Sequence, residues 1–322
     1  MVEHEIRERE QICMGTVVTH RVYGVPSEGV LEEAEQEISR LNHLVSRFGS
    51  DSEISQINRA AGGKPIFVSK STYELFEAAL TYSEISVGLF DVTIGPLVEL
   101  WERKKKQQAV PAPEEIVDCL TLVDYHCVVH DNRALSIGLK RERQSVDFGG
   151  IGKGFAADRV LDLFRNHGVE SGFTNFGGNV ALLGSKPDGS CWRVGIQHPR
   201  ERRRIIGFLD LVDRSVATSG DYQRYYQAKN GQCYHHIINP LTGYPSDSGL
   251  ISATIVTKSA TRADALSTIF FSSGIAGSKH LLGFLPEVEV VLIDRELNVY
   301  ISNGLVGNFH AIGGAVVRGL DS

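Results

Sequence analysis

Ala263, Leu266, Ile269 and Phe270 recur at helical spacing in the segment Ser259 to Phe270, and the same stretch carries Asp264 and Thr268 four residues apart. An i,i+4 pair shares one helical face, so a carboxylate and a hydroxyl stand one above the other there. Earlier in the chain, Met14 to Tyr23 is rich in Thr and Val and predicts a strand, followed by an amphipathic helix from about Glu28 to Val45. Ser69 precedes a second helical pattern that ends near Gly88, and Pro96 sits where a first helical turn tolerates proline, opening a helix that reaches the lysines after Trp101. The only plausible linker is Val110 to Pro113, and it is short.

From Tyr125 the pattern turns to strands: Cys127 to His130, a turn at Asp131 and Asn132, Leu135 to Ile137, and Ser145 to Phe148. Ala157, Val160, Leu161 and Phe164 form one face of a helix after Lys153, with Gly168 just past its end. Further strands are expected at Phe173 to Phe176, Trp192 to Gln197, Ile206 to Leu211, Tyr234 to Ile238 and Ile251 to Thr257. After the Asp264 helix come a helix from Gly277 to Leu285 and strands at Val288 to Ile293 and Val299 to Ser302. Strands and helices do not alternate strictly, which predicts an α+β fold with mixed sheets and packed helices and not a doubly wound parallel one.

The 322 residues are 42% hydrophobic and 22% charged, ordinary values for a globular chain with a large core. A net charge of -6 gives no global signature of nucleic-acid binding, and the basic runs Arg103 to Lys106 and Arg202 to Arg204 lack interleaved aromatics. The five cysteines are scattered and never at C-x-x-C spacing, which excludes a zinc ribbon and argues against a disulfide framework. No run approaches the length of a membrane span, and the first twelve residues are too charged for a signal peptide. The chain as it stands is therefore expected in the cytoplasm; one trimmed of an export signal would be periplasmic or membrane-anchored.

Several segments carry possible chemistry. Val146 to Gly154 reads as a strand, a glycine-rich turn and a helix start, which brings backbone N–H groups and Lys153 toward an anion. It is not a nucleotide P-loop, because the glycine spacing differs and Gly154 stands where Ser or Thr should hold the metal. Phe155 occupies the last glycine position of a dinucleotide fingerprint, so that motif is absent too. Asn175 to Asn179 holds a glycine pair that fits a bulge or hairpin turn, and Val216 to Asp221 offers hydroxyls and a carboxylate or an ordinary loop. In Tyr234 to Pro245, His236 can accept a hydroxyl proton near neutral pH or serve as a structural histidine. The Asp264/Thr268 pair offers two hard oxygen ligands for magnesium; alternatively Asp264 is solvated and Thr268 bonds back to its own helix.

Taken in order, these segments resemble the ApbE family, the FAD:protein FMN transferases. The matching stretches are Met14-Gly15-Thr16, SRFGSDSEISQIN from Ser46, FDVTIGPLVELW from Phe90, VDFGGIGKGFAADR from Val146, NFGGNV from Asn175, VATSGDY from Val216, HHIINPLTGYP from His235 and ADALSTIF from Ala263. The resemblance implies one flavin transferase domain over residues 1–322 with matched motifs from 14 to 274, and a T-fold-related ApbE-like architecture. It implies magnesium held by the Gly150 carbonyl, the Asp264 carboxylate and the Thr268 hydroxyl. FAD, the substrate, would be contacted by Met14, Phe48, Leu89, Phe90, Asp91, Asp147, Lys153 and Ile238. The implied reaction moves FMN from FAD to a Ser or Thr hydroxyl of an acceptor protein, a redox or electron-transfer subunit, with AMP leaving and His236 taking the proton.

Three features depart from the family pattern. Asn239 stands where Asp is frequent, Phe48 replaces a frequent Tyr, and the customary export signal or lipobox is absent. Two rival functions remain beside transfer. One is an FAD diphosphatase in which water replaces the acceptor; the other is a non-catalytic FAD-binding or electron-transfer protein. Asp264, Thr268, Lys153 and His236 together speak against the second, since a binding module has less need of a metal and a base.

Overall fold

A computed structural model of the chain describes residues 5–24, 29–47 and 49–320. These form two compact units, one of residues 1–40, 153–220 and 248–322, the other of residues 41–152 and 221–247. The architecture is α+β with mixed sheets. Val110 to Pro113 separates neither unit: it lies inside the second, and Pro113 opens the helix Pro113–Leu120 at the position where a missing N–H costs nothing.

The first unit is built on a nine-stranded sheet. Its order is Ile6–Cys13, Thr16–Tyr23, Ser171–Phe176, Asn179–Leu183, Ser215–Gly220, Leu250–Thr257, Glu289–Asp294, Val299–Ile301 and Val317–Gly319, antiparallel throughout except for the last pair. The first strand was not expected, because Arg7 to Glu10 alternate charges of both signs along an edge, and edge strands use charge to resist further pairing. Met14 and Gly15 make the two-residue turn after it, both at positive φ (50° and 70°), so Met14 belongs to a hairpin loop and the strand begins at Thr16. The helix Gly152–Asn166 lays Phe164 into the core with Val18, Val22 and Phe176, all fully buried. Each such side chain contributes on the order of 1.5–3 kcal/mol.

The helix Ala260–Leu282 packs on the strands Ser215–Gly220 and Leu250–Thr257. It breaks at Gly274 (φ 68°, ψ -176°), where a Cβ would lie 2.8 Å from the Ser248 carbonyl oxygen, so the two helices expected from sequence meet at this kink.

The second unit holds helices Lys70–Ile85 and Gly95–Lys106, a three-stranded sheet, and the short hairpin Tyr225–Gln227 with Cys233–His235. Trp101, Leu97, Leu100, Ile116 and Ile238 pack together in its core. The strand expected at Ser145 to Phe148 is replaced by extended chain with one bridge, Ile94 to Ser145. The Asn58 side chain takes the place of a neighbouring strand, accepting from the Val146 amide at 2.8 Å and donating to the Val146 carbonyl at 3.3 Å. Among the described residues no helix is long and apolar enough to cross a membrane.

Candidate active site

In the first unit the helices Gly152–Asn166 and Ala260–Leu282 cap each other with carboxylates. Asp158 accepts the Ala260 amide at 2.7 Å and the Thr261 amide at 2.9 Å, together with the hydroxyls of Ser259 (2.7 Å) and Thr261 (2.6 Å). In return, Asp264 Oδ2 accepts the Gly154 amide at 2.9 Å. Helix starts leave N–H groups unpaired and carry partial positive charge, so each carboxylate satisfies donors and is itself stabilised. The contact requires glycine: a Cβ on residue 154 would sit 2.2 Å from the Ala260 carbonyl oxygen and 2.7 Å from Asp264 Cβ. The glycine-rich turn therefore delivers an amide to an anion as its sequence suggests, and in this chain that anion is Asp264.

Asp264 is only 4% exposed. Its Oδ1 accepts from Asn179 Nδ2 at 2.8 Å and faces Lys153 Nζ at 3.5 Å. A carboxylate has about four lone-pair positions, and the Gly154 amide, Asn179 and Lys153 face three of them. Thr268, one turn on and half-buried, has its Oγ1 3.3 Å from Ser219 Oγ, and it is Ser267, not Thr268, whose hydroxyl is bonded to the Asp264 carbonyl (2.8 Å). The Gly154 amide, one of the first-turn donors that a helix leaves unpaired, is given to Asp264. A buried carboxylate and a hydroxyl one turn away are hard oxygen donors that suit magnesium, which takes one or two protein oxygens and keeps other positions for water and phosphate.

Asn179, Ser219 and Asp158 were missed as site residues. Asn179 ends the NFGGN turn and Ser219 lies in VATSG; both segments carried the family resemblance while their own residues fitted a turn and a loop.

In the second unit the expected FAD contacts already serve the fold. Asp147 Oδ1 accepts the Gly149 amide at 2.7 Å, closing the glycine turn, and Oδ2 pairs with Arg47 Nε at 2.9 Å. Asp91 is buried; it accepts from the Thr93 amide and hydroxyl, both at 2.7 Å, and from the Tyr125 amide at 3.1 Å. Burial pushes its carboxyl above the usual range, with the Thr93 and Tyr125 hydrogen bonds opposing that shift. Phe90 and Ile238 are buried and Leu89 is half-buried, so side-chain contact with a ligand is most open to Leu89. Phe48 lies outside the described residues.

His235 and His236 are neighbours with opposite settings. His235 is half-buried; its Nε2 donates to the Ser246 carbonyl at 3.0 Å, which leaves Nδ1 to accept the Ile237 amide at 3.3 Å. Burial lowers its pKa, so it is held as a neutral structural ring. His236 is exposed, and its Nδ1 lies 3.1 Å from the Arg224 carbonyl, an acceptor only. Nδ1 therefore carries the proton of the neutral ring and Nε2 the lone pair, the tautomer a general base needs. The strand ends at His235 and not Ile238, because Asn239 donates its amide to the Tyr244 carbonyl (2.8 Å) and Ile238 bridges Pro245 across that turn.

Residues 14–292 match the model of the ApbE family. An FAD:protein FMN transferase of Klebsiella pneumoniae is 30% identical over 304 residues, covering 94% of each chain. One of Treponema pallidum is 33% identical over 317 residues, covering 92% of this chain and 87% of that protein. Among solved structures, the ApbE protein of Thermotoga maritima superposes with a TM-score of 0.86 at 30% identity, covering 94% of this chain and 99% of the other. The flavin transferase ApbE of Vibrio cholerae gives 0.82 at 26% identity, covering 95% and 99%.

Proposed function

The chain belongs to the ApbE family, and from that membership we infer that it is an FAD:protein FMN transferase. The observation that carries this reading is the match to transferases so named over nearly the whole of both chains. We propose further that transfer depends on magnesium, that the acceptor group is a Ser or Thr hydroxyl on a redox or electron-transfer protein, and that AMP is released. One catalytic domain would then comprise both compact units.

Asp264 and Thr268 would hold magnesium with the Gly150 carbonyl. Bound there, magnesium would spread the negative charge of the FAD diphosphate, the electrostatic help on which phosphoryl transfer relies. Lys153, whose ammonium stands 3.5 Å from Asp264, would add a second positive charge for the diphosphate. Asn179 and the Gly154 amide keep the carboxylate aimed, so no reorganisation is needed when the ligand arrives. His236 would accept the acceptor's proton at Nε2, with Nδ1 anchored on the Arg224 carbonyl. The acceptor oxygen then bonds to the phosphorus on the flavin side, and the bond from that phosphorus to the bridging oxygen breaks. Met14, Leu89, Phe90, Asp91, Asp147 and Ile238 remain the proposed FAD contacts, with Phe48.

The test is incubation of the protein with FAD, magnesium and a panel of acceptor peptides, followed by mass spectrometry. An FMN adduct on Ser or Thr together with free AMP is expected. FMN and AMP without an adduct on any acceptor would make the protein a hydrolase, and FAD left intact would make it a binding protein.

A further inference from the structure

We propose that Ser219 and Ser267 are positioning residues that set the direction of the Thr268 hydroxyl, turning its oxygen lone pairs toward the cation; this rests on the reading of Asp264 and Thr268 as magnesium ligands. A hydroxyl has one proton to donate and two lone pairs to accept with. Ser267 Oγ donates to the Asp264 backbone carbonyl at 2.8 Å, and a carbonyl cannot donate in return, so the Ser267 proton is committed. Ser219 Oγ lies 2.8 Å from Ser267 Oγ, and the donor in that pair must be Ser219. Thr268 Oγ1 lies 3.3 Å from Ser219 Oγ, and with the Ser219 proton already placed the donor is Thr268. All three protons thus run one way, from Thr268 through Ser219 and Ser267 to the carbonyl of residue 264.

The direction matters because a cation is bound by a lone pair and repelled by a hydroxyl proton. A free threonine hydroxyl presents its proton or its lone pairs according to rotation, whereas Thr268 has its proton held on the side of Ser219. Ser219 sits on the strand Ser215–Gly220 and the other two hydroxyls on the helix Ala260–Leu282, so the sheet itself orients the ligand. Ser267 is 2% exposed, which protects the relay from competing water.

Magnesium affinity can be read from the rise of the thermal midpoint as magnesium is titrated into protein held with saturating FAD. Ser219→Ala is expected to weaken magnesium binding about tenfold, as loss of an outer partner of a metal ligand does, with the midpoint in the absence of magnesium and FAD unchanged. Ser267→Ala should act in the same direction. In a Thr268→Val background Ser219→Ala should cost nothing further, because no hydroxyl remains to be oriented. Equal weakening in that background, or a fall in the ligand-free midpoint large enough to account for the change, would make Ser219 a packing residue and overturn the proposal. Unchanged affinity in Ser219→Ala, while Asp264→Ala and Thr268→Val lose theirs, overturns it and leaves the metal reading standing. Wild-type magnesium affinity in Asp264→Ala and Thr268→Val would remove the metal reading and this proposal with it.

Discussion

The Asp264 carboxylate is buried at a helix start and faces Asn179, the Gly154 amide and Lys153, whereas His236 is exposed and anchored through Nδ1 on a backbone carbonyl. The first arrangement suits a charge that must not move, since donors fixed in advance cost no reorganisation when a cation and a diphosphate arrive. The second suits a group that must meet a large partner and exchange a proton with it. The same contrast recurs between neighbours: His235 is half-buried with its ring nitrogens on the Ser246 carbonyl and the Ile237 amide, while His236 is exposed with Nδ1 on the Arg224 carbonyl.

Breaking the fixed side should have the largest effect. Asp264→Ala is expected to abolish transfer and greatly weaken magnesium-dependent FAD binding. It should also cost about 1–3 kcal/mol of stability, because buried donors at Asn179 and Gly154 lose their acceptor. Turnover with FAD and magnesium and denaturant unfolding check the two halves; wild-type turnover would remove Asp264 from the site.

Gly154→Ala attacks the same clasp without touching a charge. Its Cβ would fall 2.2 Å from the Ala260 carbonyl oxygen, a backbone atom that cannot step aside alone. A loss of about 3 kcal/mol is expected in urea unfolding, at the upper end of what overpacking costs. An unchanged midpoint would show that the two helix starts are less tightly joined than described.

Acid should sharpen the contrast further, through a histidine unlike His236. His20 is fully buried between the edges of Phe164 and Phe176, neither ring nitrogen has a partner among the described residues, and burial lowers its pKa to about 4. Between that value and the ordinary one near 6.5 the unfolded chain binds a proton that the folded chain refuses. The stabilisation is thus fully present above about pH 6.5 and declines as pH falls toward 4, by about 3 kcal/mol in all. Unfolding free energies across this window should fall more steeply for wild type than for His20→Leu; parallel curves would contradict the assignment.

Lys153→Ala should have the mildest effect of these, weakening FAD binding roughly tenfold while the fold persists, as expected for one charge-assisted contact. FAD titration with and without magnesium checks it. Unchanged affinity in both conditions would confine Lys153 to its pairing with Asp264.

Much of the fixed side was legible in the chain because it is local. Asp264 and Thr268 share one helix, and Lys153 and Gly154 share one turn, so periodicity and glycine placement expose them. Asn179, Ser219 and Asp158 were not legible as site residues, since each meets its partner only once distant strands and helices pair, Asn179 and Asp264 being 85 residues apart. The edge strand Ile6–Cys13 was hidden by its own charges, and Ser145 to Phe148 looked like a strand because the Asn58 side chain that replaces its neighbour leaves no mark on the local pattern. His236 was singled out from its neighbour by motif position alone; the carbonyl of Arg224, twelve residues earlier, supplies the physical distinction.

The proposed division between a fixed binding side and an exposed base is tested most directly by measuring FAD binding and acceptor modification together in wild type, His236→Ala and His235→Ala. His236→Ala should bind FAD and magnesium as wild type does yet modify the acceptor on the order of a hundredfold more slowly, the usual contribution of general base catalysis. His235→Ala should keep most of its turnover, its loss falling on stability. Equal behaviour of the two variants, or normal turnover by His236→Ala, would contradict the account and give the proton to another group.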